Sequence, residues 1–198
     1  MTNLPALNKT AVTAAPILPI LAERWSPRSF DESYVLTEHE VLSILEAARW
    51  APSANNAQPW RFSVLHRGSD LFNTVVEQGL TGWNQAWAPK ASALIILSVK
   101  FKNADGAENQ WVSYDAGLAA ANLTAQATEL GLSVHTMAGI IPAALHEVLG
   151  LADDTKALVA LAVGKLAAAD KLEGVLLERE VAARTRLTLD EIVLHGKP

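Results

Sequence analysis

Cysteine is absent from the 198 residues, and several chemistries go with it. Without thiols there are no disulfides, no thiolate metal sites and no cysteine nucleophile. The lack fits a reducing compartment, and the expected location is the cytoplasm. Positive charge is also scarce: 16 Lys and Arg stand against 21 Asp and Glu, a net charge of −5. No basic run occurs, which argues against nucleic acid or an anionic membrane as partner. No apolar run reaches the roughly 20 residues that cross a bilayer. The N-terminal stretch MTNLPALNKTAVTAAPILPIL is apolar only in patches, is interrupted by three prolines, and has Lys9 as its single basic residue. It makes a poor signal peptide and is expected to be a flexible arm over residues 1–16.

Recurring catalytic signatures are missing too. The chain has no H-E-x-x-H, no EF-hand loop, no G-x-S-x-G elbow and no P-loop. His39, His66, His135, His146 and His195 are scattered, as surface or structural histidines are, and no metal site is expected.

What is present suits one domain over residues 17–198, since half of the residues are hydrophobic. Thr37 and Glu40 form a capping box ahead of a helical stripe ending near Trp50. Residues 60–67 alternate as a strand, and 71–80 are helical. Residues 91–101, ASALIILSVKF, are a branched apolar run expected to be a buried strand. Residues 110–130 form a long Ala- and Leu-rich helix stopped by Gly131. Its few charges predict burial on most faces, as a central post or a dimer interface. A strand at 132–137, a helix opened by Pro142 and closed by Gly150, and a strand at 156–163 follow. This order predicts a three-layer arrangement with helices over a sheet. A Rossmann domain is the rival on order alone, weakened because no G-x-G-x-x-G follows a strand.

Three polar features remain. In RWSPRSF, residues Arg24, Ser26 and Arg28 alternate and share one side if the segment is extended. Pro27 favours that conformation for Ser26. Two guanidiniums and a hydroxyl make a cradle for phosphate. In ARTRL, Arg184 and Arg186 form a second alternate pair. The connector APSANNAQPW has no charge and no glycine, but places Ser53, Asn55, Asn56 and Gln58 between Pro52 and Pro59. Such groups orient a polar ring or polyol without adding charge. Six of the twelve aromatics are Trp, which predicts a Trp-rich core, with pocket lining as the sharper alternative. The features together point to a ligand with one phosphate and a neutral polar body. FMN has that character, and a flavin would carry the chemistry that the side chains lack.

Over about residues 20–197 the chain resembles the nitroreductase family of FMN-dependent NAD(P)H oxidoreductases. RWSPRSF is similar to its R-x-S-x-R-x-F opening, and APSANNAQPWRF to its P-S-x-x-N-x-Q-P-W-x-F segment. WNQAWAPKASALIIL, GLSVHTMAGI and ARTRLTLDEIV follow in the family's order. The resemblance implies an α+β fold with a mainly antiparallel sheet flanked by helices, in an intertwined homodimer with FMN at the subunit interface. Carried over, Arg24, Arg184 and Arg186 hold the phosphate, Ser26 reaches the ribityl chain or ring, and Arg28 and Asn84 lie near the N1/O2 edge. Trp25 joins this set, where the family often has a basic or polar residue. Pro52, Ser53, Ala54 and Asn56 come from the partner subunit. Met137, Ala138 and Gly139 pass beside the ring, with Ala138 where some members carry Glu. No large lid is expected. The implied activity is a ping-pong hydride exchange from NADH or NADPH to a flat acceptor such as a nitroaromatic or quinone, with Trp83 and Trp87 as one pocket wall or as interface packing. An FMN-dependent dehydrogenase or oxidase of a metabolite, and a flavin storage or sensing protein, are the alternatives.

Overall fold

The computed structural model describes residues 7–103 and 105–196. Residues 1–6 of the expected arm, and 104 and 197–198 of the expected domain, lie outside the described residues. The elements in chain order are α1 (Pro19–Glu23), α2 (Glu38–Arg49), β1 (Trp60–His66), α3 (Asp70–Thr74), α4 (Gly82–Gln85), β2 (Ala93–Lys100), α5 (Val112–Glu129), β3 (Ser133–Met137), α6 (Pro142–Val148), β4 (Thr155–Gly164), α7 (Gly174–Val181) and α8 (Leu189–Ile192). One π-helical turn, Val75–Gly79, extends α3.

The local signals act as their chemistry dictates. Thr37 caps α2 by accepting from the Glu40 amide at 3.2 Å, while Glu40 accepts from the Thr37 amide at 2.8 Å. Gly131 takes φ +65° after α5, and Gly150 takes φ +58° after α6. Those are left-handed conformations that glycine enters without a Cβ clash.

Among the described residues, four strands form one antiparallel sheet in the order β1-β2-β4-β3. A Rossmann domain, whose sheet is mostly parallel, is thereby excluded. β2 is central and buried on both faces, which is why its sequence is a continuous apolar run. Its alternate side chains feed two cores. Ile95, Leu97 and Val99 pack with Leu161 and Val163 under Ile44, Ala48, Ala116, Ala119 and Leu123 of α2 and α5. Leu94 and Ile96 pack on the other side with Phe30, Phe72, Val75, Leu80, Trp87 and Leu145. The result is the expected three layers.

One expectation needs correction. The tryptophans are not mainly core: Trp60 and Trp87 are buried, but Trp50, Trp83 and Trp111 are exposed. An indole is amphipathic enough to stand at a surface. In α5 the expectation holds for most of the helix: Val112, Asp115, Ala116, Ala119, Leu123 and Ala127 face the core, and Gly117 and Ala121 leave an exposed strip of small residues on the opposite side.

Candidate functional site

RWSPRSF leaves the end of α1 and runs without helix or ladder of its own, so its backbone groups must find partners elsewhere. They find them far along the chain. The Pro27 carbonyl accepts from Nδ1 of His135 at 2.8 Å. The Arg28 and Ser29 amides donate to the two carboxylate oxygens of Glu180, at 2.8 and 3.1 Å. The Ser29 hydroxyl donates to the Ala168 carbonyl at 2.6 Å. His135 and Glu180 are both buried, on β3 and α7. Burial holds His135 down to about 4, helped by the positive charge of Arg28 and opposed by its backbone hydrogen bonds, so the ring is neutral. Burial pushes Glu180 up, against its two amide donors and the charges of Arg28 and Lys9.

This fixed segment makes one wall of a cleft of about 230 Å³, lined by Arg24, Trp25 and Ser26, by Arg184 and Arg186, and also by Lys9 and Arg179. Five cations around one small volume stand out in a chain of net charge −5. They disfavour one another. Burial first, then the Arg184 and Arg186 charges, lower the Arg24 guanidinium from its usual range. An anion in the cleft would reverse that repulsion, and a phosphate offers the oxygens for charge-assisted bonds. Arg184 is already partly engaged, since its Nη1 donates to the Lys9 and Ala22 carbonyls, both at 2.6 Å. Arg24 and Ser26 also line a second, more apolar groove of about 330 Å³, with Ile20, Leu21, Ala120 and Thr124. Cleft and groove therefore meet at Arg24 and Ser26, an anion pocket opening onto an apolar trough.

Arg28 faces away from that cleft. Its guanidinium carbon lies 6.0 Å from the Trp87 ring centre, and its Nε is buried without a hydrogen-bond partner among the described residues. An orphaned buried N–H is costly and is the kind of donor that a ligand acceptor would satisfy. Trp87 itself is a core residue, stacked on Phe30 and 4.4 Å from the His135 ring. Trp83 is exposed, with the Arg179 guanidinium 4.8 Å from its ring centre. The two indoles thus do not form one pocket wall: α4 ends at Gln85, before Trp87 could share its face.

Asn84 and the turn after β3 come together as a pair. The Asn84 amide donates to the Gly139 carbonyl at 2.9 Å, and Thr81 donates to the same carbonyl through its amide at 3.1 Å and its hydroxyl at 3.2 Å. A Cβ on residue 139 would sit 2.6 Å from Asn84 Nδ2 and 2.7 Å from Thr81 Oγ1, so glycine lets both side chains reach this carbonyl without shifting. Met137 is buried at the end of β3, and Ala138 is exposed.

The residues of APSANNAQPW do not line the arginine cleft. The Ala54 amide donates to both carboxylate oxygens of Asp115 on α5, at 3.2 and 3.3 Å, and the Gln58 amide donates to Ser53 Oγ at 3.0 Å. So tied, the loop holds Asn55, Asn56 and Gln58 at φ of 51, 56 and 46°, and exposes all three. Positive φ costs a side-chain-bearing residue on the order of 1 kcal/mol, and strain of this sort gathers where function needs a fixed shape. Ala54 and Asn55 line a separate polar pocket of about 290 Å³ with Asn103, Glu108, Gln110 and Trp111. Pro52 is exposed beside it.

Motif spacing pointed to neither Lys9, Arg179, Glu180 nor His135. Each acts through partners more than 100 residues away, or lies in a charged helix that resembles ordinary surface. Among the described residues, no group of three or more His, Asp or Glu could hold a metal ion, and no helix is long and apolar enough to cross a membrane.

The sequence profile of the Nitroreductase family matches residues 21–165. A Bacillus subtilis protein, YdgI, is 34% identical over 88 residues, which cover 44% of this chain and 41% of that protein. An oxygen-insensitive NADPH nitroreductase of Helicobacter acinonychis is 36% identical over 78 residues, 39% of this chain and 36% of that protein. The matched stretches thus span less than half the length of these two curated relatives. A solved structure described as an oxidoreductase containing FMN is similar over 97% of this chain and 98% of its own, with 35% identity and a TM-score of 0.89.

Proposed function

The chain belongs to the nitroreductase family, and from that premise we propose that it is an FMN-dependent oxidoreductase using NADH or NADPH. The observation that carries this reading is the five-cation cleft joined at Arg24 and Ser26 to an apolar groove. The cleft suits a phosphate, and the groove, which Gly117 and Ala121 of α5 also line, leads from it toward the face where a second copy would pack. The buried, unpartnered Nε of Arg28 lies outside both, on the Trp87 side, and is the donor this reading assigns to the ring edge. The residues present fit FMN, and bound FMN supplies the hydride chemistry for which the chain has no constellation of its own.

The side chains then divide the work. Arg24, Arg184 and Arg186 hold the phosphate, with Ser26 on the ribityl side. Arg28 stabilises negative charge that develops at the ring edge, an electrostatic role that needs no proton transfer. Asn84 shapes the turn of Met137, Ala138 and Gly139 beside the ring by holding the Gly139 carbonyl. Donor and acceptor take turns on one open face, which gives ping-pong kinetics, and the acceptors are flat and electron-poor, nitroaromatics or quinones.

The working unit is a homodimer in this reading. The exposed small-residue side of α5 allows close approach of a second copy, and the exposed, strained loop of Pro52, Ser53, Ala54 and Asn56 reaches the partner's flavin. The cost of its positive φ angles is then met by ligand contact.

Purified protein is expected to be yellow, or to become so with FMN, and to bleach under nitrogen when mixed with NADH or NADPH. Protein that stays colourless after incubation with FMN contradicts the cofactor. Bound flavin that neither nucleotide bleaches points to one of the alternatives, a metabolite dehydrogenase or oxidase or a storage protein. Arg24→Ala is expected to lose one charge-assisted phosphate contact, about 1.5–3 kcal/mol or roughly 10- to 150-fold in FMN affinity. Riboflavin, which has no phosphate, should bind the variant as it binds the parent; equal losses for both flavins would refute the phosphate role of Arg24.

A further inference from the structure

Lys9 is only 9% exposed, which is unusual for a lysine. Its ammonium donates to the Ala182 carbonyl at 2.5 Å and lies 5.0 Å from the centre of the Trp25 ring. No carboxylate of the described residues is within ion-pair distance of it. Burial lowers its basicity, the charge of Glu180 acting through space opposes this, and the positive charge of Arg184 adds to it. A carbonyl occupies one of three N–H groups, so the ammonium has donors to spare, and it borders the cleft of Arg24, Arg184 and Arg186.

The backbone around Lys9 is anchored by other groups. Arg184 donates to the Lys9 carbonyl at 2.6 Å, and the Ala11 amide donates to the Ala22 carbonyl at 2.8 Å. Residues 9–11 therefore form a strap across α1 and the segment after α7, and this strap does not depend on the ammonium. The ammonium can leave Ala182 without releasing it.

Resting on the flavin reading above, we propose that Lys9 is a ligand of the phosphate group, moving from the Ala182 carbonyl to a phosphomonoester oxygen when the cofactor binds, so that the N-terminal strap is a wall of the cofactor site. The lysine is a mobile point charge where the arginines give fixed forks, and it supplies the cation that follows the phosphate as it seats.

The test is titration of the full-length, flavin-free protein with FMN, with riboflavin and with inorganic phosphate, in parent, Lys9→Met and Lys9→Arg forms. Lys9→Met is expected to weaken FMN and inorganic phosphate by about tenfold, the size of one charge-assisted bond, and to leave riboflavin within about twofold. Lys9→Arg should recover most of the loss. Unchanged FMN affinity in Lys9→Met overturns the proposal. So does an equal loss for FMN and riboflavin, which makes the strap a packing element only. Parent protein that binds phosphate but not FMN strikes the flavin reading alone, because the phosphate titrations still decide the role of Lys9.

Discussion

Glu180→Ala is expected to lower the melting temperature by roughly 6–20 °C, through a stability loss of about 3–5 kcal/mol. The carboxylate is fully buried and accepts the Arg28 amide at 2.8 Å and the Ser29 amide at 3.1 Å. Its own burial is unfavourable, as the upward push on its proton affinity indicates. Removal nevertheless costs more than retention, because the partners stay behind. Two backbone N–H groups become orphans, each costing about 1–3 kcal/mol, and the charges of Arg28 and Lys9 lose their shared counter-charge. The consequence reaches the site directly, since these amides hold the segment that carries Arg24, Ser26 and Arg28. FMN should be retained more weakly even where the variant stays folded. Glu180→Gln is an intermediate case: one oxygen still accepts, but the amide nitrogen faces the second N–H. Thermal unfolding of the three proteins checks this. A melting point for Glu180→Ala within about 2 °C of the parent would show that the segment is held by other contacts.

Glu180 also marks the limit of what was legible in the sequence. Features that act over three or four residues could be read directly. The capping box of Thr37 and Glu40, the glycine stops at 131 and 150, and the continuous apolar run of β2 all follow from local chemistry, and the layers follow from their order. The alternation of Arg24 with Ser26 and of Arg184 with Arg186 could be read too, and both pairs line one cleft, but Arg28, expected on the same side, turns away from it toward Trp87. What could not be read are the groups that hold those pairs in place. Glu180 meets Ser29 across 151 positions, and Lys9 meets Ala182 across 173. In sequence Glu180 is one charge in the helix of LLEREV, and Lys9 one cation in an apolar arm. No period marks such partners, because the contact is made by the fold. The opening connector lies between these cases. Its neutral, amide-rich composition predicts an exposed polar loop, but not the positive φ of Asn55, Asn56 and Gln58 in a loop that Asp115 grips at Ala54 from α5. The tryptophans misled because an indole type says little about depth: Trp87 lies under Arg28 while Trp83, four residues earlier, faces out.

Acidification is expected to remove about 3 kcal/mol of stability through His135 alone. Burial holds the folded imidazole at about 4, against 6.5 for the free side chain. The unfolded chain therefore binds the proton more readily than the folded one throughout that window. Stability from this group is complete above 6.5 and is lost as the pH falls toward 4, at about 1.36 kcal/mol for each pH unit. Glu180 works in the opposite direction, because its raised folded value means that protonation relieves the cost of its burial. Carboxylates held low by their hydrogen bonds, such as Asp31 and Glu46, add an acid loss of their own. The informative quantity is thus a difference between two proteins. Asn at position 135 can keep a donor for the Pro27 carbonyl but cannot titrate. His135→Asn should be less stable than the parent at pH 7, since it leaves a cavity beside Trp87, yet its denaturant-unfolding free energy should fall by about 3 kcal/mol less between pH 7 and pH 4. Parallel pH profiles for the two proteins would show that His135 is not the buried neutral ring described. The same protonation sets a second positive charge beside Arg28, a repulsion that the strengthened bond to the Pro27 carbonyl only partly offsets. Flavin release on acidification should therefore occur at a lower pH in His135→Asn than in the parent, which ties the titration to the segment that carries the proposed cofactor ligands.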